Sequence, residues 1–169
     1  MSMTHYMELL ATAQPWNLIL FMAIPVILAE TVAITELYIL FTRNLSSWVK
    51  KVNSYASIAV GLYFLGVFLY LVKTAVIPLT LTGAWRGPAD VIAVFAYLAG
   101  AVPLLGMALL DMGLIGKGRD ELGRLGLHAT FVAVFLVVAH IAMIFGMLDP
   151  MVLGYGTDMP AATHGTMQM

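Results

Sequence analysis

Residues 18–41 read LILFMAIPVILAETVAITELYILF, an apolar run interrupted by two carboxylic acids, Glu30 and Glu36. About 20 consecutive apolar residues are enough to cross the hydrocarbon core of a bilayer as a helix. A carboxylate held there costs roughly 2.5–3.5 kcal/mol on insertion scales, so by default it reads as functional. Outward from this stretch, the first span extends over Asn17–Thr42, and three more runs share its character: Tyr55–Ile77, Asp90–Gly113 and Leu127–Met147. The connections are polar or rich in breakers: Arg43–Asn53, Pro78–Pro88 with its Gly and Pro, and the charged, glycine-rich Gly116–Gly126.

Composition points the same way. The chain is 62% hydrophobic and 10% charged, where a soluble domain carries about 25% charged residues. The absence of cysteine excludes disulfides, thiolate metal sites, iron–sulfur clusters and cysteine nucleophiles. Residues 1–17 hold no Lys or Arg, and the run after them is longer than a signal-peptide core, so it reads as a span retained in the mature protein. No glycine-rich phosphate loop opens a helix, and the basic residues are accounted for by topology, so nothing points to nucleic acid.

Basic residues in short loops mark the cytoplasmic side. The first and third connections carry Arg43, Lys50, Lys51, Lys117, Arg119 and Arg124; the other side offers Arg86, with Lys73 near the end of the second span. The expectation is therefore an all-α, integral membrane antiparallel four-helix bundle with both termini outside, periplasmic in a bacterial inner membrane. Residues 1–16 form an outer-side N-terminal segment, 17–148 the transmembrane domain and 149–169 a flexible outer-side tail. Its partners are the lipid bilayer and, for so small a bundle, other membrane subunits or a homo-oligomer. Pro25 and Pro103 are expected to kink spans one and three. Ala29/Ala33, Ala96/Gly100 and Ala129/Ala133 supply small residues for close helix approach.

At 100° per residue, Tyr55, Tyr63, Tyr70 and Lys73 share one face of span two, and Tyr97 and Asp111 share one face of span three. Glu30 and Glu36 flank a common face of span one, as His128 and His140 do on span four. A rise of about 1.5 Å per residue puts Glu36, Asp111, His128 and Tyr55 at one inner level. His140, Tyr97, Tyr70 and Met22 lie at an outer level, with Glu30 between the two and Tyr63 beside it. Thr31, Thr35 and Thr42 on span one are expected to bond back to their own helix.

Three functions follow from that placement. Carboxylate and imidazole suit a transition metal, copper or iron, with Glu30, Glu36, Asp111, His128 and His140 as ligands and Tyr55, Tyr63, Tyr70, Tyr97 and Lys73 in support. Soft-ion capture by the tails would add Met3, His5, Met7 and His164. A second function is a haem b- or quinone-linked anchor for electron transfer, although His128 and His140, about 18 Å apart along one helix, cannot share one haem. A third is a proton-coupled small permease or accessory subunit in which Glu30 exchanges protons. The Glu-x-x-His signature of di-iron bundles is absent, and whether the chain is an enzyme is not decided by these residues.

Overall fold

The computed structural model describes residues 3–44 and 48–154, and over them the regular structure is entirely helical. A short α1 (His5–Ala11) comes first, with Thr4 as its cap accepting a bond from the Met7 amide. Four helices long and apolar enough to cross a membrane follow: α2 (Trp16–Thr42), α3 (Trp48–Thr82), α4 (Gly87–Asp111) and α5 (Glu121–Met147). A single 3₁₀ turn, Pro150–Leu153, closes the described chain. Of the 149–169 tail, residues 155–169, including His164, lie outside the described residues.

The helices overrun the apolar runs. α3 begins seven residues before Tyr55 and α5 six before Leu127, because Lys50, Lys51 and Arg124 sit in helical turns that an apolar count does not see. α3 also runs past Pro78 to Thr82. A π-turn over Val72–Val76 precedes the proline and absorbs the mismatch in the hydrogen-bond ladder.

Pro25 acts in the same way. The π-turn Ile19–Ala23 stands just before it, and the Ile24 amide bonds to the Ile19 carbonyl instead of the usual fourth-previous one. Two carbonyls are thereby freed: Leu20, bypassed by the π-turn, and Phe21, whose ordinary donor would be the N–H that Pro25 lacks. Tyr63 on α3 donates to Leu20 O at 2.8 Å, and Tyr97 on α4 donates to Phe21 O at 2.6 Å. In α4 the break falls at Gly100, three residues before Pro103.

Contacts between neighbours run in opposite register. Asn53 of α3 donates to Val32 O and Thr35 Oγ1 of α2, while Tyr63, further along α3, meets Leu20, further back on α2. Likewise Gly61 packs on Leu104 and Ala108, and Ser57 on Asp111. A side chain at Gly61 would lie 2.5 Å from Ala108 Cβ and 2.7 Å from Leu104 O, so the α3 and α4 backbones touch. Close approach of α4 to α5 is made at Gly106, beneath the Phe131 ring, whereas Ala133 of the expected small pair is exposed. Thr31, Thr35 and Thr42 bond back to the carbonyls of Ile27, Thr31 and Tyr38.

An apolar layer of Val32, Val60, Phe64, Leu104, Met107 and Val132 crosses the middle of the bundle. Packing follows chain order, α2 on α3, α3 on α4 and α4 on α5, and α2 hardly touches α5. One end of the bundle carries Arg43, Lys50 and Arg124 and is called the basic end below. The other is covered by α1, whose Leu10 is buried, and is called the capped end.

Candidate functional site

At the basic end, ionisable groups from three helices meet around His128 of α5. Glu36 Oε2 of α2 lies 2.9 Å from Nδ1, and Asp111 Oδ2 of α4 lies 3.2 Å from Nε2. The fourth helix joins through Ser57, whose hydroxyl donates to Asp111. Glu36 is 3% exposed and His128 4%, so water does not screen their contact. The Glu36–Nδ1 contact is close enough for an ion pair but off the line of a hydrogen bond, and Glu36 Oε1 is buried without a partner among the described residues.

Beside this triad lies a cavity of about 200 Å³, lined by Glu36, Asn53, Asp111 and His128 and rimmed by Lys50, Glu121 and Arg124. Arg124 Nη2 donates to Leu110 O at 2.8 Å, so the end of α4 nearest Asp111 is held by a cation. Each residue is placed by an ordinary helical feature. Asp111 is the last residue of α4, His128 stands two turns into α5, and Glu36 lies on the buried stripe Ala29, Val32, Glu36, Ile39 of α2.

Three of the five expected ligands therefore come together, and two do not. Glu30 and His140 line a separate cavity of about 290 Å³ between α2 and α5, nearer the capped end. Tyr55, expected at the inner level, is 75% exposed and turned away, and Ser57 and Asn53 occupy the position assigned to it. Tyr63 and Tyr97 are committed to the carbonyls that Pro25 and its π-turn free. Tyr70 stacks on Phe21 at 5.7 Å, and Lys73 is exposed in the α3 π-turn.

Each nitrogen of His128 faces a different carboxylate, at 2.9 Å from Nδ1 and 3.2 Å from Nε2. Among the described residues, no three His, Asp or Glu side chains are grouped to hold one metal ion.

A second ionisable cluster ties down the capped end. Asp90 of α4 is fully buried and accepts from the His5 amide at 2.7 Å, faces His5 Nδ1 at 2.6 Å, and accepts from the Arg86 amide at 3.1 Å. Arg86 reaches Glu8 at 2.5 Å and Met3 O at 2.5 Å, while Thr4 donates to Gly146 O of α5 at 2.6 Å. His5, expected as a tail metal ligand, is thus engaged by a carboxylate. Burial pushes the Tyr6 hydroxyl up to about 12, so this group stays protonated against the Tyr97 ring. The sequence reading gave Asp90 no role. The available signal was an acid in the first turn of a helix, where it can reach back to a preceding amide.

A four-helix membrane protein with a largely buried acid–imidazole–acid cluster is the class these features define. The chain belongs to DUF6803, a family of unknown function whose model matches residues 1–162. No curated protein and no solved structure matches it.

Proposed function

We propose that this protein takes up and releases protons at the Glu36–His128–Asp111 triad, as a proton-coupled permease or as the proton-handling subunit of one. The observation that carries this reading is the position of His128, with one ring nitrogen toward each of two carboxylates from different helices. A neutral imidazole has one N–H and one lone pair. Acids on both sides let a proton enter at one nitrogen and leave from the other once the Glu36 carboxyl, 2.9 Å from Nδ1 but off its axis, turns into line. The polar cavity with its Lys50 and Arg124 rim supplies access from the basic end. The apolar layer around Phe64 and Met107 blocks free passage toward the capped end, as coupling rather than leakage requires. This role falls to Glu36 and His128 rather than to Glu30, because Glu30 stands apart from them.

In this reading the chain is an antiparallel bundle in a bacterial inner membrane. The basic end faces the cytoplasm, following the six Lys and Arg of the first and third connections, and both termini lie on the outer side. The geometry favours a proton over a transition metal, since each imidazole nitrogen is already opposed by an oxygen.

The test is a pH step on proteoliposomes adsorbed to a capacitive electrode. The wild type is expected to give a transient charge displacement on stepping from mildly alkaline to mildly acidic buffer. Glu36→Gln and His128→Gln, checked for monodisperse elution, are expected to lose most of it. A wild-type signal no larger than that of empty liposomes, or an unchanged signal in both variants, would overturn the proposal.

A further inference from the structure

The cleft between α2 and α5 near the capped end takes no part in the triad, yet it contains two ionisable groups. Glu30 is exposed in its wall, midway along α2, with no hydrogen-bond or ion-pair partner among the described residues. His140 lines the same cleft from α5, and its Nδ1 lies 2.6 Å from Leu136 O. A carbonyl can only accept, so Nδ1 must carry the hydrogen, and in the neutral ring Nε2 keeps its lone pair. Glu30 and His140 thus both offer acceptors. The remaining surface is overwhelmingly apolar and includes the aromatic side chains of Phe21, Phe64, Tyr97 and Phe135. The Tyr97 hydroxyl is already spent on Phe21 O. Because α2 and α5 hardly touch, the cleft is open along the side of the bundle.

An apolar ligand alone would leave Glu30 without a counterpart, and a ligand bearing only acceptors would set oxygen against oxygen. A molecule with a positive charge, N–H donors and a flat apolar body satisfies acid, imidazole and aromatic surface together. We propose that this cleft binds a lipophilic amine or organic cation, entering from the bilayer, with its N–H groups on Glu30 and His140. The site is independent of proton handling at His128, and it is read by equilibrium binding without any pH step.

The probe is 9-aminoacridine, whose fluorescence reports binding to protein in nanodiscs, with empty nanodiscs as background and 9-methylanthracene as a neutral analogue of the same shape. Saturable binding of the amine is expected, weakened at least tenfold by Glu30→Gln and less by His140→Ala, with partial recovery in Glu30→Asp. Ala139→Phe, which puts a ring into the cleft and keeps Glu30 in place, is expected to abolish binding. That variant keeps the test decisive should Glu30→Gln fail to fold. Equal binding of amine and neutral analogue, undiminished binding in a folded Glu30→Gln or Ala139→Phe protein, or no saturable binding by the wild type would each overturn the proposal.

Discussion

The two ends of the α2–α5 seam hold the same kinds of residue, a glutamate on one helix and a histidine on the other, and treat them in opposite ways. At the basic end Glu36 and His128 are buried against each other, and Asp111 and Ser57 bring in the remaining two helices. Nearer the capped end Glu30 and His140 face a cleft, Glu30 without a partner and His140 bonded to its own helix. The difference is one of closure: at one end the acid and the imidazole are buried in contact, while at the other they line an open cleft, where the proposed ligand would sit. A buried charge that loses its partner is strongly destabilising, whereas an exposed one that never had a partner is not. The two glutamates should therefore respond differently to the same change.

The largest effect is expected at the triad. His128→Leu leaves the buried Glu36 and the half-buried Asp111 with no base between them, and should cost about 3–5 kcal/mol. Thermal unfolding in detergent would show it, and adding Glu36→Leu to the same chain should recover part of the loss. Independent, additive losses from the two changes would mean that the contact does not hold the end closed.

An intermediate effect is expected between the two regions. Tyr97→Phe removes the donor to Phe21 O and should cost about 1–3 kcal/mol, the usual penalty for a buried group left unpaired. Pro25→Ala restores an amide that can serve the same carbonyl. Tyr97→Phe should therefore do less harm in a Pro25→Ala background, and a double-mutant cycle with no coupling would refute the assignment.

The smallest effect is expected in the cleft. Glu30→Leu should leave the melting temperature unchanged or raise it, its stability staying within about 0.5 kcal/mol of wild type as for a substitution that breaks no contact. A loss as large as that of His128→Leu would erase the distinction between the two ends.

Much of the frame was legible in the residues. Apolar length and breakers locate four helices, and matching depth along them brings Glu36, Asp111 and His128 to one level. Depth is readable because rise per residue is constant. Rotation about the axis is harder, and there the reading of Tyr55 went astray. Ser57 is two residues further on, about 200° around the helix, so choosing between them means knowing which side of α3 faces α4, and Gly61 settles that by touching the α4 backbone. The tyrosines were grouped with the ionisable residues because they share a face. Their partners are backbone carbonyls freed by a proline, and the clue was Pro25 four residues after Phe21. The Asp90 clasp was hidden for another reason: its partner His5 lies on α1, outside the four spans, where depth counted along the spans does not relate the two.

That clasp bears on the order in which the molecule is made. His5 meets Asp90 across 85 residues of sequence, and Thr4 meets Gly146 across 142. During synthesis α1 therefore emerges long before either docking place exists: Asp90 arrives with α4, and Gly146 only with α5. Complete seating of α1 thus requires the whole bundle, and a chain arrested before α5 should hold this segment by the Asp90 contacts alone.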